Sequence, residues 1–326
     1  MIEDNVSYKS ISRAAKRLRN HIVKTPLLKS QYVNQKLNTN LFIKAENLQT
    51  IGAFKFRGAM NTILQLPASV SKVVAWSSGN HAQAVAAAAK ITGREATIVM
   101  PSDAPNSKIE NTKALGAKII FYDRYRESRE DIAQQIAEKD NAFLIPAYDN
   151  SDVICGQGTV GLESFHQMAM IGQSLDHFYC PVGGGGLIAG SSSILRFLNP
   201  DTKIIGVEPE MLNDTQKSME SGKREAIKIF PNTLCDSLMA EKPGELTFSI
   251  NQKMLSSIIT VSDQKVIDSM RLVFNEFGII VEPGGAASLA GALSAIDQNI
   301  IDEGENIVAV LSGGNISKER HRNLIN

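Results

Sequence analysis

Apolar, β-branched runs of six to nine residues alternate with amphipathic stretches along most of this chain. "LFIKAE" (41–46), "KVVAWS" (72–77), "EATIVMP" (95–101), "AKIIFY" (117–122) and "AFLIPA" (142–147) read as strands. "DHFYCPVG" (176–183), "KIIGVEP" (203–209), "SSIITVS" (256–262) and "NIVAVLSGG" (306–314) continue the series. Between them lie helical patterns such as "NHAQAVAAAAKIT", "REDIAQQIAEK" and "SDQKVIDSMRLVFNEFG". Strands apolar on both faces, alternating with helices, predict parallel sheets covered on each side, hence an α/β, doubly wound architecture. Near the start, Ile11, Ala14, Ala15, Leu18 and Ile22 recur at helical spacing with basic residues opposite, as on an amphipathic surface helix.

Composition narrows the function without deciding it. Lys+Arg and Asp+Glu both total 34 in 326 residues, so no overall field favours nucleic acid or an anionic membrane. No apolar run reaches the roughly 18–20 residues that span a bilayer. The opening "MIEDNVSYKS" has acids where a secretory signal carries a basic flank and an apolar core. Cys155, Cys180 and Cys235 are scattered, without CxxC spacing, and read as small buried residues of a protein kept in a reducing cytoplasm. The five histidines form no HExxH-like pair, so no histidine metal site is expected.

Ligands of open α/β sheets sit at the carboxyl ends of strands, which singles out the glycine-rich turns there. "PVGGGGLIAG" follows a strand and opens a helix at about Leu187. Gly183 to Gly186 can turn backbone N–H groups onto an anion, and the helix end adds positive potential. The pattern is neither GxGxxG nor GxxxxGK[ST], so dinucleotide and P-loop readings fail. "WSSGNHAQA" offers a second polar turn with Ser77, Ser78, Gly79 and Asn80, and "LSGGN" (311–315) a third. "VEPEMLND" (207–214) ends another strand with three acids, which taken singly would be solvated. In "QTIGAFKFRGA" (49–59), Lys55 lies between Phe54 and Phe56, where desolvation favours a neutral, nucleophilic amine. A phosphate cradle, a second anion turn, a strand-end hydroxyl and an apolar lysine together suit an aldehyde-bearing phosphorylated cofactor such as pyridoxal phosphate.

The order "GAFKFRGA", "SSGNHAQA", "GQGT", "VGGGGL", "VEPEMLND", "VEPGGAA", "SGGN" resembles the fold-type II pyridoxal-phosphate enzymes, specifically the serine racemase and serine/threonine dehydratase group, from about Tyr8 to Ser317. The resemblance implies two doubly wound α/β domains of the tryptophan synthase β type. A small mobile domain, 75–148, would be inserted in a large cofactor domain made of 1–74 and 149–326. It makes Lys55 the Schiff-base residue and Phe54 its neighbour beside the cofactor. Gly183, Gly184, Gly185, Gly186 and Leu187 would cradle the phosphate, and Ser312 would bond the pyridine nitrogen. Ser77 and Asn80 would engage the substrate carboxylate and the cofactor's phenolic oxygen, with His81 beside them. Ser78 would be the acid/base on the face opposite the lysine. Glu208, the carbonyl of Leu212 and Asp214 would hold a divalent cation, an all-oxygen set suited to Mg²⁺ or Ca²⁺, with Mn²⁺ another candidate.

The implied reaction is α,β-elimination: Lys55 removes Cα–H, the β-hydroxyl departs, and the product hydrolyses to a 2-keto acid and ammonia. A neutral hydroxyl at the pyridine nitrogen disfavours a long-lived carbanion and so favours prompt elimination. L-Serine or L-threonine is the expected substrate, with serine racemisation an accompanying activity and threo-3-hydroxyaspartate dehydration the alternative. A cytoplasmic homodimer acting on a small amino acid is expected. The chain reads to Asn326 with no room for the regulatory domain of biosynthetic threonine deaminases, so isoleucine feedback is not expected. The pattern departs from the family at Ile51 (threonine), Ala53 (serine) and Ser237 (glycine), which bears on substrate preference.

Overall fold

The computed structural model describes residues 5–227 and 233–326. The described residues form ten strands: β1 (Leu27–Leu28), β2 (Asn40–Ala45), β3 (Lys72–Trp76), β4 (Glu95–Pro101), β5 (Lys118–Tyr122), β6 (Phe143–Leu144), β7 (His177–Pro181), β8 (Lys203–Pro209), β9 (Ser257–Val261) and β10 (Asn306–Leu311). They build two sheets. One runs β1-β2-β10-β7-β8-β9, parallel except for β1, and the other runs β5-β4-β3-β6, all parallel.

Every strand read from the apolar runs is present, most within a residue or two of its expected ends. The exception is "AFLIPA", where only Phe143 and Leu144 pair. Pro146 lacks the N–H that would extend the ladder, so Ala147 and Tyr148 leave the sheet and turn toward the other one. The doublet Leu27–Leu28 is too short for its strand to stand out in the sequence pattern. The smaller sheet opens at Lys72, so the expected division at 75 falls inside β3.

Long helices cover both faces of the larger sheet. Helix Pro283–Asp297 is apolar nearly all round, and its small residues let it pack close to the sheet; a Cβ on Gly285 would lie 2.2 Å from the carbonyl oxygen of Gly313. On the other face lie helices Ser151–Met170 and Gly186–Leu198. Their contact depends on Gly158 and Gly190, where an added Cβ on either would meet the other's backbone at under 3 Å. Helix Lys55–Ile63 buries Phe56, Met60 and Ile63 against the alanine-rich helix Asn80–Ile91 of the smaller sheet. It thus stands between the two sheets, with Lys55 at its first turn. The three cysteines are buried, as expected, and no described helix is long and apolar enough to cross a membrane.

Candidate active site

Three chain segments far apart in sequence meet at Lys55. The amide of Phe54 donates to the carbonyl of Ser312 at 3.0 Å, the amide of Gly314 to that of Gly52 at 2.8 Å, and Ala53 bridges Gly313. The lysine turn is therefore fastened to the end of β10. Ile51 in this turn has φ +64°, a left-handed conformation that β-branched residues avoid. Its carbonyl accepts a bond from Asn315 Nδ2 at 2.8 Å.

Lys55 Nζ donates to the carbonyl of Ala147 at 2.7 Å, just beyond β6, and lies 5.2 Å from the Phe54 ring centre. Burial lowers its pKa from the usual lysine range to about 8, so the neutral amine becomes a sizeable minority near physiological pH instead of a trace. Arg57, two residues on, is fully buried and its guanidinium is saturated. Nε and Nη2 bond Glu46, Nη1 and Nη2 bond Glu163, and Nη1 also bonds Thr159. This ion cluster locks the turn that carries Lys55 against β2 and helix Ser151–Met170.

Lys55 faces a cavity of about 680 Å³ whose walls carry Ser77, Ser78, Asn80, His81, Gly183 to Leu187 and Ser312. The structure thus brings together every expected cofactor and substrate position. Gly184 sits against the Tyr148 ring, where a Cβ would approach to 2.2 Å, and Gly185 has φ +84°. The amides of Gly184, Gly185, Gly186 and Leu187 donate to no other described residue. They lie at the start of helix Gly186–Leu198, free for an anion. Ser312 is buried at the end of β10 and offers a neutral hydroxyl.

The serine turn has its own geometry. Gly79 N donates to Ser77 Oγ at 3.1 Å, and helix Asn80–Ile91 starts directly after it. Asn80 is engaged at both ends of its amide: Nδ2 donates to Glu282 at 2.6 Å and Oδ1 accepts from Asn315 at 2.7 Å. Both partners belong to the larger sheet's side, so Asn80 ties the two halves together across the site. His81 Nε2 lies 3.0 Å from the carbonyl of Ile145, which can only accept, so this nitrogen carries the proton. Burial, with the charge of Lys55, pushes its pKa down to about 3 and keeps the ring neutral.

Several contributors had no local signal. Glu282 lies in the quoted "VEPGGAA", yet its role needs the fold: buried, its pKa is pushed up to about 7 although Asn80 donates to it. Ser237, the position usually glycine, bonds Glu282 and occupies the notch left by Gly284, where a Cβ would meet its Oγ at 2.2 Å. Lys108 reaches Asp236 at 2.9 Å over the cavity mouth.

Outside the cavity, Glu208 and Asp214 are buried, not solvated as single acids at a loop usually are. Glu208 accepts from the amides of Thr215 and Gln216, at 3.0 and 2.9 Å. Both carboxylate oxygens of Asp214 are buried without a partner among the described residues. Burial raises Glu208 to about 7 and, with Glu208 beside it, Asp214 to about 8. Two buried acids, one with both oxygens unsatisfied among the described residues, have the chemistry to hold a hard cation. No group of three or more His, Cys, Asp or Glu side chains able to hold a metal occurs among the described residues; this site would need the Leu212 carbonyl and water.

Comparison with known proteins places the chain in a family. The family "Pyridoxal-phosphate dependent enzyme" matches residues 18–313. The L-threo-3-hydroxyaspartate ammonia-lyase of Saccharomyces cerevisiae is 42% identical over 98% of this chain and 96% of its own length. The serine racemase of Schizosaccharomyces pombe is 39% identical over 98% and 97%. The crystal structure of serine racemase from Dictyostelium discoideum superposes with a TM-score of 0.88 at 36% identity, covering 96% of this chain and 99% of that one. The chain belongs to the fold-type II pyridoxal-phosphate enzymes, in the family of serine racemases and serine/threonine dehydratases.

Proposed function

We propose that the protein is a pyridoxal-phosphate-dependent ammonia-lyase that dehydrates a β-hydroxy amino acid to a 2-keto acid and ammonia. The observation that carries this reading is the buried Lys55 amine, with its pKa lowered to about 8, sharing one cavity with unpaired glycine amides and the Ser312 hydroxyl. When bound, the cofactor supplies an aldehyde for amines and an electron sink that acidifies Cα–H. The residues fit it: Gly183 to Leu187 suit the phosphate, Phe54 the ring face, Ser312 the ring nitrogen and Asn80 the phenolic oxygen.

Lys55 then holds and moves the proton at Cα. A base there needs a neutral amine, and burial without a carboxylate partner raises the neutral fraction at working pH. Ser77, Asn80 and the start of helix Asn80–Ile91 orient the substrate carboxylate. Neutral His81 completes that wall without adding charge. Ser78 is the acid/base on the opposite face and serves racemisation. Closure of the segment 75–148 on the remainder excludes water and brings the serine turn onto the substrate.

A second reading is dehydration of threo-3-hydroxyaspartate. Lys108 and Arg129 on the cavity wall favour it, because each can receive a second carboxylate by exchanging its present partner, Asp236 at 2.9 Å and Glu130 at 2.8 Å. Ammonia release from L-serine, L-threonine and L-threo-3-hydroxyaspartate, measured side by side with serine racemisation, decides between them. No ammonia from any of the three overturns both. We also assign Glu208, Asp214 and the Leu212 carbonyl to a divalent cation, Mg²⁺, Ca²⁺ or Mn²⁺, that ties this loop to the large domain. A cytoplasmic homodimer remains the expected form.

A further inference from the structure

Glycine amides bind an anion only if the peptide planes are held with N–H toward it; a glycine loop left to itself rotates freely. The loop Gly183–Gly186 is held from behind. Thr247 Oγ1 donates to the carbonyl of Gly184 at 2.8 Å, and Asn251 Nδ2 reaches that of Gly185 at 3.5 Å. Both side chains stand on one face of helix Glu245–Met254, a turn apart. A carbonyl fixed on that helix turns the N–H across the same peptide plane the opposite way.

The helix is itself anchored at the site. Asp149 accepts from the amides of Glu245, Leu246 and Thr247 at 2.8, 2.9 and 3.0 Å, capping the helix from another segment of the chain. Gly244 makes this possible, since a Cβ there would lie 2.3 Å from Asp149 Oδ1. Asp149 follows Tyr148, whose ring packs on Gly184, and Ala147, whose carbonyl receives Lys55. One tripeptide thus sets the lysine, the face of the glycine loop and the helix behind it.

We infer that Thr247, held in place by Asp149, is a positioning residue for the phosphate of the cofactor: it orients the Gly184–Gly185 peptide so that its N–H faces the anion. The inference rests on the reading of Gly183–Leu187 as the phosphate cradle. A positioning role for the phosphate has a signature that general loosening lacks, because pyridoxal offers the same aldehyde and ring without the phosphate.

The test titrates cofactor-free protein with pyridoxal phosphate and separately with pyridoxal, following absorbance of the bound ring. Thr247→Val keeps the shape and loses the donor. It should weaken pyridoxal phosphate about tenfold while pyridoxal changes less than about twofold, and Thr247→Ser should restore the wild-type ratio. If Thr247→Val yields no folded protein, Thr247→Ala and Thr247→Ser are compared in the same way. Equal losses for both ligands, or no loss for either, overturn the inference. Gly184→Ala separates the two levels, because its Cβ runs into Tyr148. If that variant keeps the wild-type preference for the phosphorylated ligand, the cradle reading itself fails. If it loses the preference while Thr247→Val keeps it, only the role of Thr247 falls.

Discussion

The amine of Lys55 rests 2.7 Å from the carbonyl oxygen of Ala147, and no described carboxylate pairs with it. A neutral carbonyl compensates a buried ammonium poorly, which is why burial lowers the pKa to about 8. Capture of pyridoxal phosphate by cofactor-free protein should accordingly accelerate with pH and level off above about 8. Stability shifts in the same sense. Between about 8 and the unfolded lysine value of 10.5, the unfolded chain binds the extra proton, so this group adds stability as pH rises. Stopped-flow absorbance of cofactor capture checks the first statement, and a midpoint near 10.5 would refute it.

Lys55→Ala should remove the visible absorbance of the bound cofactor and lower turnover on the order of 10³-fold or more, with the fold retained. Turnover lost with the absorbance unchanged would mean that another lysine carries the chemistry.

Ser78→Ala should leave elimination from one serine enantiomer largely intact and cut racemisation, since one face alone loses its proton donor. Chiral chromatography alongside a keto-acid assay reads both rates. Equal losses from both enantiomers would contradict this division.

For the acids Glu208 and Asp214 the expectation concerns pH and chelation. Their pKa values are raised in the folded chain, from about 4 unfolded to about 7 and 8, so without a cation they contribute stability at low pH that is lost progressively as pH rises from about 4 to about 8. A bound cation reverses this. In EDTA the thermal midpoint should fall over that range, and Mg²⁺ or Ca²⁺ should restore it, more at higher pH. Asp214→Ala should make both the midpoint and the activity insensitive to chelator. Full activity after exhaustive EDTA treatment and desalting would exclude a functional cation.

Arg57→Met removes the only cation among the described residues that pairs with Glu46 and should cost about 3–5 kcal/mol in denaturant unfolding. A loss below about 1 kcal/mol would mean that the cluster is merely tolerated.

What could be read from the sequence was local. Lys55 between two phenylalanines, the glycine turns and the apolar strands announce themselves within ten residues. The partners that give those residues their properties do not. Ala147 accepts from Lys55 across 92 positions, Asn80 meets Glu282 across 202, and Asn251 and Thr247 back the glycine loop from more than 60 positions on. Carbonyl acceptors leave no trace in residue type, and an isolated Glu282 looks like any helix-entry acid. Asp214 was named as a ligand by resemblance, but its unsatisfied oxygens are visible only in three dimensions.

Strand β10, the last in the chain, lies in the interior of its sheet, paired with β2 on one side and β7 on the other. During synthesis the lysine turn therefore emerges long before the Ser312 and Gly313 backbone that fastens it. Until residues 306–311 arrive, β2 and β7 face each other across an empty lane, and each presents an unpaired edge. A nascent chain must carry the β2 edge for most of its translation and the β7 edge from residue 181 until residue 306, which makes the interval before β10 inserts an aggregation-prone stage. Joining β2 to β10 closes a loop of more than 260 residues, a slow, non-local step. Maturation into a form able to take up cofactor should therefore wait for β10 to insert between β2 and β7.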